Sequence, residues 1–301
     1  MIMEVKNTRS FSCKLKRYLI YKFAKCFSDR FYLKTLFPLS VGYKLDLENP
    51  KTYNEKLQWL KLYDRRPEYT QMVDKVEVKV FVSGIIGDQY IIPTITVYNR
   101  PEEIDFEKLP AKFVLKCTHD SGGIVVCRDK DRLNKDEALI KLSKGLQRNY
   151  YYQNREWPYK NVVPRIIAEQ YMEDEDGELK DYKFFCFNGE PKYMFIASDR
   201  FNPNEETKFD FFDMDFNHLP FINGHPNATK KVAKPKGFEV MKELAAKLSK
   251  DIPQVRVDFY DIDGKVFFGE MTFFHWSGLV PFEPVEWDCI FGESIVLPSK
   301  H

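Results

Sequence analysis

The sequence predicts an α+β fold, with a helical front followed by two β-rich units. Three observations carry this. Apolar residues recur at helical spacing in three stretches between 11 and 83; β-rich runs appear from 91 onward; and two turn pairs, Asn188-Gly189 and Asp263-Gly264, each separate strand-like runs. At 301 residues the chain is long for one hydrophobic core, so two or three packed subdomains are expected.

The elements follow in order. Residues 11–34 read as one amphipathic helix, with Leu15, Tyr18, Leu19, Phe23, Cys26 and Phe27 on a stripe and Lys16, Lys22 and Lys25 mostly off it. Such a basic helix suits either an anionic membrane surface or packing on its own domain with a solvated basic face. A second helix, 53–64, is announced by Thr52 and Glu55, a T-x-x-E capping box, and a third covers 72–83. Gly84 and Gly87 precede a β-rich run at 91–98. Strands at 113–118 and 124–128 flank the turn 118–123, and a helix bearing Leu139, Leu142 and Leu146 leads to a strand at 165–172. A hairpin, 181–187 to 191–197, a helix at 237–250 and a last hairpin, 254–261 to 265–273, complete the series. The domain division expected is 1–50 as a basic helical segment, 51–110 as a helical and α/β lead-in, 111–172 as a small unit with a Gly loop, and 173–301 as a larger unit.

Composition narrows the function. The first 34 residues hold nine bases against Glu4 and Asp29, a charge of +7, so the rest must sum to −6 to give the overall +1. A balanced or acidic body argues against nucleic-acid binding. Six scattered cysteines without zinc spacing, and no secretory signal, fit a reducing cytoplasm. No run reaches the roughly 18 apolar residues of a membrane span.

Two stretches suit chemistry. Lys116 lies inside the apolar run Phe113–Cys117, where a buried ammonium calls for an anion. The turn His119-Asp120-Ser121-Gly122-Gly123 then offers backbone N–H groups to phosphate oxygens. The alternative is an edge strand with Lys116 in water. In the last hairpin, Arg256 and Asp258 share one face of their strand, as do Glu270 and Thr272. If Asp258 and Glu270 approach to about 4 Å they repel by roughly 4 kcal/mol at an effective dielectric near 20, which a magnesium ion would relieve. The alternative is a solvated face with a salt bridge. Asp213-Met214-Asp215 matches the D-x-D of many metal-dependent glycosyltransferases, and Asp261-Ile262-Asp263 is a second copy.

In sequence order, Asp74-Lys75, Lys116 before its Gly loop, Glu169-Gln170-Tyr171-Met172, Arg256-x-Asp258 and Gly269-Glu270-x-Thr272 resemble the ATP-grasp superfamily. The nearest resemblance is to the TupA-like ATP-grasp family of bacterial surface-polysaccharide gene clusters. Asn54-Glu55-Lys56-Leu57-Gln58-Trp59-Leu60, Asp181-Tyr182-Lys183-Phe184 and Asn188-Gly189 extend the match over about residues 50–280. The resemblance implies an ATP-grasp fold whose two α+β subdomains clamp ATP. Lys75 and Lys116 would contact phosphates under the loop with His119, Ser121, Gly122 and Gly123. Glu169, Gln170 and Met172 would meet adenine, and Asp258 and Glu270 would hold magnesium. Arg256 would face the transferred phosphoryl group, with Lys183 near the phosphates or the acceptor. Thr272, a third candidate for the metal through its hydroxyl, stands where many such enzymes carry Asn, and His275 and Asp181 are candidates for substrate contact. The activity implied is ATP-dependent amide formation through an acyl phosphate, joining an amine to a carboxylate, plausibly a hexuronic acid of a capsular or other surface polysaccharide. The rival readings are a D-x-D glycosyltransferase using Asp213 and Asp215, and a non-catalytic scaffold that binds ATP and sits on membranes through residues 11–34.

Overall fold

The computed structural model describes residues 11–173, 179–200 and 205–299; Glu4, Lys6 and Arg9 of the basic front lie outside the described residues. The front consists of α1 (Phe11–Lys22), α2 (Asp29–Val41), α3 (Tyr53–Tyr63), α4 (Glu68–Val73) and α5 (Glu77–Ile86). The single helix expected over 11–34 is therefore two. A 3₁₀ turn at Ala24–Cys26 interrupts it, and the Ser28 hydroxyl caps α2 by accepting from the Phe31 N–H. The stripe read from the sequence is also largely not the buried one: Leu15, Tyr18, Leu19 and Phe23 are exposed, whereas Ile20 and Ala24 are buried. The helix expected over 72–83 breaks at Asp74, whose carboxylate accepts from the N–H groups of Val76 and Glu77 and so starts α5 afresh. In α3 both halves of the Thr52/Glu55 capping box form.

Next come β1 (Thr94–Tyr98), β2 (Phe113–Cys117), β3 (Ile124–Cys127), α6 (Lys135–Leu146), α7 (Tyr151–Asn154) and β4 (Ile166–Gln170). The four strands form an antiparallel sheet in the order β1-β4-β2-β3. The small unit thus begins at Thr94, ahead of the expected boundary at 111. Its own core lies between this sheet and α6, with Phe113, Leu115, Cys117, Leu142, Ile166 and Ala168 fully buried.

The larger unit contains β5 (Asp181–Phe187), β6 (Glu190–Ser198), β7 (Lys208–Asp213), β8 (His218–Leu219), α8 (Phe238–Leu248), β9 (Val255–Ile262), β10 (Lys265–Thr272) and α9 (Glu286–Glu293). Its six strands are antiparallel in the order β10-β9-β5-β6-β7-β8. The turns at Asn188-Gly189 (φ 51° and 87°) and Asp263-Gly264 (φ 55° and 91°) have positive φ at both central residues, the form that matches strand twist in a tight hairpin. The aromatic richness is mostly core. Phe185 is fully buried, with the rings of Phe195, Phe291 and His275 5.0–5.8 Å away. The helical front joins the same core through Tyr32, Leu36, Tyr53 and Leu57. Among the described residues no helix is long and apolar enough to cross a membrane.

Candidate active site

The two sheets face each other across a cleft of about 510 Å³. Val114, Ile124, Val126, Ile91, Ile92 and Phe268 give it apolar walls, and charged side chains gather within it. An isolated bridge between Ile91 and Phe268 ties the lead-in segment to the edge of the large sheet.

On the small-sheet side, β2 alternates buried and half-buried positions, which turns Lys116 into the cleft. Its ammonium pairs with Glu169 at 2.7 Å, and Lys79 of α5 pairs with the other carboxylate oxygen at 2.5 Å. Burial opposes charge on Glu169, but the two lysines outweigh it and hold its carboxyl down to about 2. Burial lowers Lys79 in turn. Lys75 donates to the Asp120 carbonyl at 2.7 Å, and its N–H to the Thr118 carbonyl at 3.2 Å, which fastens the break between α4 and α5 to the turn after β2.

That turn is built differently from the expectation. Asp120 and Ser121 line the cleft, but His119, Gly122 and Gly123 do not. His119 is buried, bonded through Nε2 to the Arg148 carbonyl at 2.9 Å, and burial lowers its pKa. A Cβ at Gly123 would meet Cys117 Sγ at 2.7 Å and Asp120 Oδ1 at 2.9 Å, so this glycine is needed for packing inside the small unit. Asp120 accepts from the Gly123 N–H and pairs with Arg148 at 2.9 Å. At the end of β4 and just past it, Gln170 and Met172 line the cleft, although the Gln170 N–H already donates to the Pro93 carbonyl at 3.0 Å.

On the large-sheet side, Lys183, Asp258 and Glu270 form one row across β5, β9 and β10. A bulge makes this possible. The tight turn would set Gly269 opposite Asp258, but the ladder skips Gly269 after Phe268↔Phe259, and Glu270 takes that place. A Cβ at Gly269 would stand 3.1 Å from the Asp258 carbonyl. Arg256 donates through Nε and Nη2 to the two Asp258 oxygens, both at 2.7 Å, and Lys183 also pairs with Asp258. Burial would raise the Asp258 pKa; Arg256 and Lys183 reverse this and lower it. Burial lowers Lys183. Asp181 joins Lys183 at 3.1 Å and also pairs with Arg200.

Arg256 Nη2 also reaches Thr272 Oγ1 at 3.0 Å and Glu270 Oε1 at 3.4 Å. Three oxygen-bearing side chains thus converge on one cationic nitrogen. This hard-oxygen set fits one divalent cation completed by phosphate and water, although among the described residues no three acidic, His or Cys side chains gather at one point. Arg256 Nη1 donates to His275 Nδ1 at 2.7 Å, so His275 carries its proton on Nε2 and donates it to Asn223 Oδ1 at 2.9 Å. Burial and the neighbouring cations push the His275 pKa well below its usual value. His275 does not line the cleft, and neither do Arg256, Asp258 and Thr272; this set is joined to the cleft through the bonds of Asp258 to Lys183 and of Arg256 to Glu270.

The loop holding His275 is fixed from the helical front. Trp276 and Ser277 have φ of 49° and 57°, a left-handed conformation that costs free energy and must be over-determined by its surroundings. Gln58 donates to the carbonyls of Ser277 and Gly278 at 3.0 and 2.8 Å, and Lys61 to Ser277 at 2.7 Å. Asn54 and Lys56 bond to Asp288 and to the end of α9. The Asn54–Leu60 motif is thus a clamp on the loop after β10. Ser277 also donates to Glu156, whose pKa burial raises, while burial lowers that of Lys61.

Lys79, Arg200 and Tyr260 line the cleft but were not singled out from the sequence. The D-x-D triplets lie elsewhere. Asp213 accepts from the Asp215 and Asn217 N–H groups and from Asn217 Nδ2, and Asp261 from those of Gly264 and Gly237, so both close turns.

No curated protein matches the chain. Among solved structures it is similar to the D-alanine–D-alanine ligase of Helicobacter pylori (15% identity, TM-score 0.42, covering 81% of this chain and 69% of that one). It is also similar to the D-cycloserine synthetase DcsG (17%, 0.42, 76% and 70%). A third is the D-alanine–D-alanine ligase of Bacillus anthracis (14%, 0.38, 74% of this chain), of whose length the chain covers only 59%. The profile of the TupA-like ATP-grasp family matches residues 55–296, most of the chain, and with the two-sheet cleft in place the protein belongs to that family.

Proposed function

We propose that this chain is an ATP-dependent carboxylate–amine ligase working through an acyl phosphate. The observation that carries it is the meeting, across one cleft, of a lysine-rich small-sheet wall with Lys183 and Glu270, which are bonded in turn to the buried Arg256–Asp258 pair. In this reading the adenine lies against the apolar wall near Met172 and Phe268. Lys75 and Lys116 receive the phosphates, and Lys116 exchanges part of its pairing with Glu169 for a phosphate oxygen. Glu270 and Asp258, with the Thr272 hydroxyl, would hold magnesium, which would supply positive charge against the phosphate oxygens.

The acceptor carboxylate oxygen attacks the γ-phosphorus, the bond to ADP breaks, and an acyl phosphate forms. Arg256, kept cationic by Asp258 and oriented by neutral His275, faces the charge that builds on the phosphoryl oxygens. Lys183 and Arg200 orient the acceptor. The amine then attacks the acyl carbon, inorganic phosphate leaves, and the amine proton passes to solvent. No side-chain nucleophile is required, because positioning and electrostatics supply the rate.

For the acceptor we propose a hexuronic acid of a capsular or other surface polysaccharide, with an amino acid as amine. The support is the family resemblance to proteins of surface-polysaccharide gene clusters, and Tyr260 offers an aromatic ring for a sugar within the cleft. The glycosyltransferase alternative is disfavoured because the oxygens of Asp213 are engaged in its own turn. The test is to incubate the protein with ATP, magnesium and single uronic acids in hydroxylamine. Hydroxamate formation matched by ADP release is expected. Binding of a sugar nucleotide in place of ATP would overturn the proposal.

A further inference from the structure

The outer face of α1 is apolar and unoccupied by any described residue. Leu15, Tyr18, Leu19 and Phe23 are 47%, 58%, 43% and 47% exposed, and Phe31 of α2 is 52% exposed. Their spacing places the first four on one side of the helix, opposite buried Ile20 and Ala24. An exposed cluster of large apolar side chains with Lys22 set among them suits a contact site.

The charge around it identifies the partner. Lys14 and Lys16 are exposed and flank the apolar face on either side, and the exposed Lys22 ammonium lies 5.7 and 5.8 Å from the ring centres of Tyr18 and Phe23. Residues 11–28 contain no acid, and the next one along the chain, Asp29, is already paired with Arg65 and Arg155. A second copy of the chain would bring the same bases against these and repel them. An anionic bilayer would instead accept the rings and leucines among its acyl chains and the lysines at its headgroups.

We propose that α1, with the exposed edge of α2, is a docking surface for anionic lipid bilayers, lying in the plane of the membrane. It precedes the family match at 55–296, and none of its residues lines the cleft, so it adds membrane attachment to an active site built elsewhere.

The test is vesicle flotation of the full chain, with vesicles of phosphatidylcholine alone and of equal parts phosphatidylcholine and phosphatidylglycerol. Wild type is expected to float with the anionic vesicles, to float poorly with the neutral ones, and to be released by salt. Two double variants, Leu15→Asp with Leu19→Asp and Lys16→Glu with Lys22→Glu, are each expected to lose about tenfold or more in partitioning. All four side chains are solvent-facing, so the thermal midpoint should stay at the wild-type value. Wild type that stays at the bottom with anionic vesicles overturns the proposal, as do variants that float like wild type. A wild-type dimer that Leu15→Asp with Leu19→Asp converts to monomer, without vesicle binding, assigns the face to a second copy and also overturns it.

Discussion

The two walls of the cleft are both made of buried charge, yet they are balanced differently. On the small-sheet wall, Lys79 and Lys116 share one carboxylate, Glu169, and Lys75 adds a third base whose ammonium meets only a carbonyl among the bonds described. On the large-sheet wall, Lys183 and Arg200 are matched by Asp181 and Glu270, and the buried Arg256 and Asp258 pair with each other and with that set. Glu270 is the most open of these acids, with 45% of its side chain exposed against 1% for Asp258. A surplus of positive charge suits the phosphates of a nucleotide, and a balanced wall with one open carboxylate suits a cation. The difference suits the two halves of the site to opposite charges, as the proposed magnesium–ATP ligand requires.

The strongest way to break this comparison is Asp258→Asn. It leaves Arg256 and Lys183 buried without their shared anion, and loss of one partner of a buried pair costs about 3–5 kcal/mol. Urea unfolding should show that loss, and turnover should fall by about 10²–10³-fold as Arg256 loses its orientation.

The small-sheet wall has its own signature, in pH. Glu169 is depressed from 4.5 to about 2, so its stabilisation is complete above the unfolded value and is lost as pH falls from about 4.5 towards 2. The shift corresponds to stability on the order of 3 kcal/mol. Wild type should lose that margin over this window, and Glu169→Gln should unfold with a flatter dependence there. An equal slope in both would remove the triad from the account.

These contrasts were only partly legible in the sequence. The capping box at Thr52 and the tight turns at 188–189 and 263–264 are local signals, and each set its element directly. The Arg256–Asp258 pair was legible because alternate residues of a strand share a face. What places Glu270 beside them was not: simple pairing from the 263–264 turn sets Gly269 opposite Asp258, and only the bulge restores Glu270. Lys79 was hidden for a related reason, since a lysine on a helix normally reads as solvated and its partner Glu169 lies 90 residues away. His119 looked like part of a phosphate loop, but its partner is the Arg148 carbonyl, a contact no spacing announces. The stripe on α1 was read as facing either a membrane or its own domain; the protein buries Ile20 and Ala24 and leaves the stripe exposed.

Two smaller effects sharpen the contrast. Lys116→Ala should weaken ATP binding by about 10–100-fold, the worth of a charge-assisted hydrogen bond to a phosphate. Thr272→Ala removes one acceptor from Arg256 but leaves Asp258 in place, so stability should change by about 1 kcal/mol or less by urea unfolding.

The most direct test of the division of labour between the walls is calorimetric titration of ATP, with and without magnesium, into wild type, Lys116→Ala and Glu270→Gln. We expect wild type to bind ATP more tightly with magnesium. Lys116→Ala should weaken binding in both conditions, and Glu270→Gln should abolish the gain from magnesium while sparing binding without it. Unchanged affinity in Lys116→Ala, or a full magnesium gain in Glu270→Gln, would contradict the account.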